Sequence, residues 1–151
     1  MASSEGVALS AALRKVGLRV TASRVAVLSA VAEGDHLTAD QVASAVRSRV
    51  GTISTQAVYD VLGALTRAGL TRRIEPAGSP ARYETRVGDN HHHIVCRICG
   101  AVSDVDCVIG EPPCVLPADA SGYLIDEAEV TFWGLCPTCQ TTSNPHEKES
   151  P

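Results

Sequence analysis

Aromatic side chains are scarce in this sequence: three tyrosines, one tryptophan and one phenylalanine (Tyr59, Tyr83, Tyr123, Trp133 and Phe132). Its core must therefore be aliphatic and small. No run of about 18 apolar residues occurs, which excludes a membrane-spanning helix. The basic residues of MASSEGVALSAALRKVGLRV follow the apolar stretch, the reverse of a secretory leader, so a cytoplasmic protein is expected. With 44% hydrophobic and 20% charged residues, the 151-residue chain is globular rather than disordered. Its length suits one ordinary domain or two small ones.

The net charge of −4 conceals an asymmetry. Residues 1–86 carry 11 Lys and Arg against 7 Asp and Glu, whereas residues 87–151 carry 2 against 10. A basic half joined to an acidic half suggests that one part meets a polyanion; a merely solvated basic surface is the other reading.

The first half reads as helices. Leu9, Ala12, Leu13 and Val16 recur at helical spacing before Gly17. Thr21 can cap a second helix that carries Val25, Leu28 and Val31 and ends near Gly34. Thr38 and Gln41 fit a capping box, opening a third helix that Gly51 breaks. Ser54 can cap a fourth, STQAVYDVLGALTRAG, closed by Gly69. LTRRIEP, AGSP and ARYET then spell strand, turn and strand. Short helices followed by a basic hairpin predict a winged helix-turn-helix over residues 1–86. In the fourth helix Val58, Val61, Leu62 and Leu65 share one face and pack inward, leaving Thr55, Gln56, Tyr59 and Gly63 on the other. Thr55, Gln56 and Tyr59 are the candidate base-reading set, with Gly63 leaving room for close approach. Arg19, Arg24, Arg72, Arg73 and Arg82 are candidates for phosphate, with Arg86 beside them on the hairpin. A helical hairpin with an ordinary polar face is the alternative.

Residues 87–140 change character. HHHIVC, AVSDVDC and YLIDEAEVTFWGLC read as strands. VIGEPPCVLPADASG, with Pro112, Pro113 and Pro117, must be a loop or a very short helix. Residues 141–151 are polar and expected to be a disordered tail. The fold class expected is α+β: the winged helix, then a small α/β dimerisation domain with a four-cysteine zinc site.

Cys96-Arg-Ile-Cys99 and Cys136-Pro-Thr-Cys139 form two C-x₂-C units. Zn²⁺ takes four soft ligands at tetrahedral corners, and two such turns supply two corners each. A site of this kind contributes folding energy, roughly 10–16 kcal/mol in small zinc peptides. Disulfides are disfavoured in a cytosolic chain. Cys107 and Cys114 fall outside the motif and read as small hydrophobes rather than sensors.

Strand alternation puts His91 and His93 on one face of HHHIVC and His92 and Cys96 on the other. A second metal site, apart from the thiolates, is implied. Either Asp104 or Asp106 could join the histidine pair. Imidazole and carboxylate suit Fe²⁺, Mn²⁺ or Zn²⁺ without choosing among them. A solvated His-rich turn is the competing reading.

GLRVTASRVAVLSAV, HLTAD, STQAVYDVLGALTRAGL, RYE, HHHIVCRICG and WGLCPTC, in that order, resemble the ferric uptake regulator family over roughly residues 8–140. Within it, GDNHHHIVC and DVDC make the chain most similar to actinobacterial members that control a catalase-peroxidase gene. The resemblance implies a homodimeric, metal-dependent repressor of double-stranded DNA with structural zinc at Cys96, Cys99, Cys136 and Cys139. It implies a regulatory Fe²⁺ or Mn²⁺ site at His36, Glu84, His91, His93 and Asp104. His36 and Glu84 then come from the DNA-binding lobe and the rest from the dimer lobe, so one ion would clamp the lobes at one angle. Aspartate at 104 resembles the peroxide-sensing branch, in which iron-catalysed oxidation of a ligand histidine, His36 or His91, releases the operator. Glu84 stands where some peroxide sensors have aspartate. Asn90 and Ala128 stand where a further metal site of some members has histidines, so that site looks degenerate.

Other functions compete: a repressor answering iron or zinc supply, a thiol-based sensor acting through Cys96 or Cys99, and a metal hydrolase using a zinc-bound water. The hydrolase lacks a convincing general base, and five ligands would saturate its metal. No catalytic residue, small-molecule substrate or membrane partner is expected.

Overall fold

The structure is a computed structural model, and it describes residues 3–143. It divides into two compact units, Met1–Gly88 and Asp89–Pro151. Among the described residues no helix is long and apolar enough to cross a membrane.

The first unit runs α1 (Ser4–Lys15), α2 (Ala22–Glu33), β1 (Leu37–Thr38), α3 (Ala39–Val50), α4 (Thr55–Arg67), β2 (Arg72–Ile74) and β3 (Arg82–Glu84). Each helix starts where a hydroxyl side chain can satisfy an orphan backbone N–H. Ser3 accepts from Gly6 N at 3.2 Å, Thr21 from Arg24 N at 3.2 Å and Ser54 from Ala57 N at 3.1 Å. At α3 the capping box is complete: Thr38 Oγ1 accepts from Gln41 N at 3.3 Å, and Gln41 Oε1 from Thr38 N at 2.9 Å. The core is aliphatic. Leu13, Val27, Val31, Val42, Val46, Val58, Leu62 and Leu65 are all buried, and Tyr83 joins them from β3. Val61 is only partly buried on this face.

The hairpin is wider than the sequence indicated. Its sheet has three strands in the order β1-β3-β2, because two residues ahead of α3 pair with β3. The antiparallel register sets Leu37 against Tyr83 and Thr38 against Arg82. Continuing it by one step puts His36 opposite Glu84. Gly34 permits the approach: a Cβ there would lie 2.4 Å from Leu37 Cδ1.

The second unit holds β4 (His91–Cys96), β5 (Val102–Asp106), β6 (Thr131–Gly134) and the short α5 (Pro137–Ser143). Its sheet order is β5-β4-β6, with β4 antiparallel to β5 and parallel to β6. Two expectations need correction. The third strand begins at Thr131, not at Tyr123. In the parallel register His93 faces Thr131, so β4, which starts at His91, offers no partner to residues upstream of about 129. Thr141–Ser143, expected to open a disordered tail, continue α5; the rest of that stretch, 144–151, lies outside the described residues. The proline-containing stretch is a loop, as its composition required.

The apolar interior of this unit is sparse. Besides its histidines, its buried residues among those described are Val95, Cys96, Val102 and Cys139. Val108, Ile109, Leu116, Tyr123 and Leu124 are exposed along the loop. A lobe with so little core needs a metal or a partner surface to hold it. The helical unit does not. There Leu62→Ala is expected to cost about 2–5 kcal/mol, read as a lowered midpoint in urea unfolding, with no loss of bound zinc from the other unit.

Candidate metal centres and nucleic-acid face

The four motif cysteines meet at the end of the sheet. One potential ligand atom from each of Cys96, Cys99, Cys136 and Cys139 lies within 4.8 Å of every other. All four are free thiols. Zinc–sulfur bonds of about 2.3 Å at tetrahedral angles separate neighbouring sulfurs by about 3.8 Å, and Cys99 Sγ and Cys136 Sγ are 3.7 Å apart. The set therefore fits zinc. Backbone amides reinforce it: Cys136 N donates to Cys96 Sγ and Cys139 N to Cys136 Sγ, both at 3.4 Å. The Cys136 amide, with help from Cys99, lowers the Cys96 thiol to about 6. Hydrogen bonding to the Cys136 sulfur, then burial, pushes Cys139 up to about 12. Crowded thiols cannot all ionise together without a cation.

The histidine triplet is buried, not a solvated turn. The ladder pairs His93 with Asp104 and His91 with Asp106. Of the two candidate aspartates, Asp104 meets the pair: its Oδ1 lies 3.4 Å from His93 Nε2 and 3.7 Å from His91 Nε2. The two rings meet edge to face at 4.9 Å. His91 Nδ1 is 2.7 Å from Asp89 Oδ1. With Nδ1 held by a carboxylate, Nε2 is the nitrogen left for a metal.

The helical unit repeats the device. His36 is buried, its Nε2 3.0 Å from Glu84 Oε2 and its Nδ1 2.6 Å from Asp35 Oδ1. Its backbone is left-handed at φ 54°. A non-glycine residue in that region costs of order 1–3 kcal/mol and persists where its surroundings over-determine it. Arg82 Nη1 donates to the His36 carbonyl at 3.1 Å, securing this bend from the neighbouring strand.

Sequence reasoning missed Asp35 and Asp89. Their signal was faint: a carboxylate one residue before His36 and two before His91. It also passed over His92, whose Nε2 is 3.1 Å from Cys114 Sγ. Cys107 and Cys114, expected to be bland hydrophobes, gather with His92 into a second cluster containing sulfur. The Gly110 backbone N–H lowers the Cys107 thiol, and burial raises Cys114.

On α4, Thr55, Gln56 and Tyr59 are exposed, as a reading face requires. Thr55 Oγ1 accepts from Arg47 at 3.3 Å, and Gln56 Nε2 donates to Asp60 at 2.9 Å. Gly63 lies close to Arg67, whose Nη1 would be 3.2 Å from an added Cβ. Arg73 is exposed and paired with Glu75 at 3.0 Å. Arg24 donates to the Arg19 carbonyl at 2.7 Å. Arg72 and Arg82 are half-buried; Arg82 serves the His36 bend rather than standing clear on the hairpin.

The sequence pattern of the ferric uptake regulator family matches residues 15–112. "Transcriptional regulator FurA" of Mycobacterium tuberculosis is 58% identical over 136 residues, covering 89% of this chain and 92% of that protein. "Ferric uptake regulation protein 1" of Mycolicibacterium fortuitum is 54% identical over 136 residues, covering 90% and 84%. Among solved structures, the Helicobacter pylori ferric uptake regulator shares the fold, with a TM-score of 0.67 at 22% identity over 99% of this chain and 97% of that one. The Pseudomonas aeruginosa regulator, solved with manganese, has a TM-score of 0.62 at 26% identity over 85% and 98%.

Asp89→Asn tests the positioning of His91. Outer carboxylates of this kind are worth about 10–100-fold in metal affinity. The expected result is a loss of that size in Mn²⁺ affinity by competition with a fluorescent chelator, with the four-cysteine zinc retained.

Proposed function

The chain belongs to the ferric uptake regulator family, and on that premise we propose that it is a homodimeric repressor released from an inverted-repeat operator by peroxide. The chain is a metal-responsive, DNA-binding transcriptional regulator rather than an enzyme, of a family whose members dimerise.

One observation carries the proposal. Each unit presents buried imidazoles beside a carboxylate: His36 with Glu84, and His91 and His93 with the more exposed Asp104. These are the five residues that the family resemblance assigns to the regulatory metal. His36 and Glu84 belong to the helical unit and the other three to the sheet unit, so a shared ion would couple the two. Metal occupancy would then select the arrangement in which paired α4 helices enter successive major grooves. The donor set is nitrogen and oxygen, suited to Fe²⁺ or Mn²⁺, while the four cysteines suit structural zinc.

Asp104 is the ground for the peroxide reading, because the resemblance associates aspartate at this position with peroxide sensing. His36, Glu84, His91, His93 and Asp104 would hold Fe²⁺, which would supply the electron needed to cleave a peroxide O–O bond. His36 and His91 are the candidate imidazoles for oxidation, and the loss of either as a donor would weaken the coupling of the units. Control of catalase-peroxidase and of the chain's own gene belongs to the same proposal. The exposed apolar residues of the 107–130 loop, Leu124 and Tyr123 among them, support a covered dimer surface.

Gel shifts on an A/T-rich inverted repeat test the function. The zinc-replete chain is expected to bind when loaded with Fe²⁺ or Mn²⁺. Micromolar H₂O₂ should abolish binding in the Fe²⁺ form only, with oxygen added to His36 or His91 by mass spectrometry. Unchanged binding of the Fe²⁺ form would reject peroxide sensing and leave metal supply as the signal. Dimeric, zinc-replete His93→Ala that binds as tightly as wild type without added metal would reject the regulatory site itself. On the DNA side, Arg73→Ala is expected to reduce the slope of log affinity against log salt by about 1.

A further inference from the structure

β4 carries donors on both faces, and the proposed regulatory site uses only one. His91 and His93 occupy that face. His92 points the other way and is buried. There it meets two cysteines from outside the C-x₂-C units: Cys107, just past the end of β5, and Cys114, in the proline-containing loop. One nitrogen and two sulfurs lie within 4.8 Å of one another. His92 Nε2 and Cys114 Sγ are 3.1 Å apart. The Phe132 ring packs edge to face against the imidazole at 6.5 Å, limiting its rotation. The Cys107 amide donates to the Asn90 carbonyl at 3.3 Å, pinning the start of the loop to the strand. The Asn90 side chain lies beside both thiols and favours their charged form.

We propose that His92, Cys107 and Cys114 form a third metal site that takes a thiophilic d¹⁰ ion, Zn²⁺ or Cu⁺. The chemistry follows from the donors. Two thiolates and an imidazole are softer than the nitrogen–oxygen set on the opposite face, so they disfavour Mn²⁺ and favour Zn²⁺ or Cu⁺. Tetrahedral zinc asks for about 3.6 Å between its imidazole nitrogen and a thiolate sulfur, a small side-chain rotation from the observed separation. Three protein ligands complete a trigonal Cu⁺ site, or leave zinc a fourth position for water. The ligands come from β4, the end of β5 and the loop. An ion here would tie residues 107–114 to the central strand of a lobe that buries few apolar side chains. Neither Asn90 nor Ala128, the degenerate positions noted in the sequence, takes part as a ligand.

The site is separable from the regulatory proposal because only it can give a new sulfur-to-metal signal once the four motif cysteines hold zinc. Co²⁺ added anaerobically to the reduced, zinc-replete full-length chain is expected to produce a thiolate-to-cobalt charge-transfer band. The band should survive Asp104→Ala and disappear in Cys107→Ser/Cys114→Ser that retains its motif zinc. His92→Asn should weaken cobalt binding at least about tenfold. Displacement of cobalt by Zn²⁺ and by Cu⁺, each buffered by a chelator, identifies the preferred ion. If the double variant loses its motif zinc, alkylation of the wild-type chain decides. Protection of Cys107 and Cys114 by Zn²⁺ or Cu⁺ supports the site, and labelling unchanged by either ion overturns it. Absence of the band in the wild type, or its persistence in the double variant, overturns it as well.

Discussion

A buried imidazole presents a defined nitrogen to a metal only when its other ring nitrogen is engaged elsewhere. In this chain Asp89 engages it at His91, and Asp35 Oδ1 stands 2.6 Å from it at His36. Asp35 and Asp89 are close in sequence to the rings they hold, so the geometry is local to each unit and does not depend on how the units are arranged. Burial makes the arrangement consequential. An imidazole out of water binds its partners in a weak dielectric, where an unmatched donor is expensive. The left-handed backbone at His36 belongs to the same constraint, since its strain is sustained by contacts to Asp35, Glu84 and Arg82.

Strand register converts these local facts into a site. Two residues of β1 set His36 across from Glu84, and the β4–β5 ladder sets His93 across from Asp104. The helices contribute a rigid frame. Their caps and their valine- and leucine-rich core need few aromatics, and the exposed face of α4 is left for another task. The sheet unit works under the opposite condition: it buries few apolar side chains, and four cysteines are grouped at its end where a metal could contribute stability.

Much of this was legible in the residues. Thr21, Thr38 with Gln41, and Ser54 announced three helix starts because side-chain capping is a short-range event. The four motif cysteines could be grouped from the sequence because spacing and chemistry both constrain them. Alternation in HHHIVC separated His91 and His93 from His92 correctly. What escaped depended on distant pairing. Two residues are too few for β1 to leave a periodic signal. Tyr123–Ala128 has the composition of a strand but lies beyond the reach of β4, which starts at His91. The contact of Arg82 with the His36 carbonyl depends on the ladder and left no mark in linear order. Cys107 and Cys114 looked inert because nothing in linear order connects them to His92.

The alternation of β4 has one more consequence. Its two faces present chemically opposed donor sets, nitrogen with oxygen on one and nitrogen with sulfur on the other, at neighbouring positions of a single backbone. A slip of the strand by one residue would turn each set towards the other's partners. An insertion or deletion inside HHHIVC would therefore hand the imidazoles of each face to the partner atoms of the other.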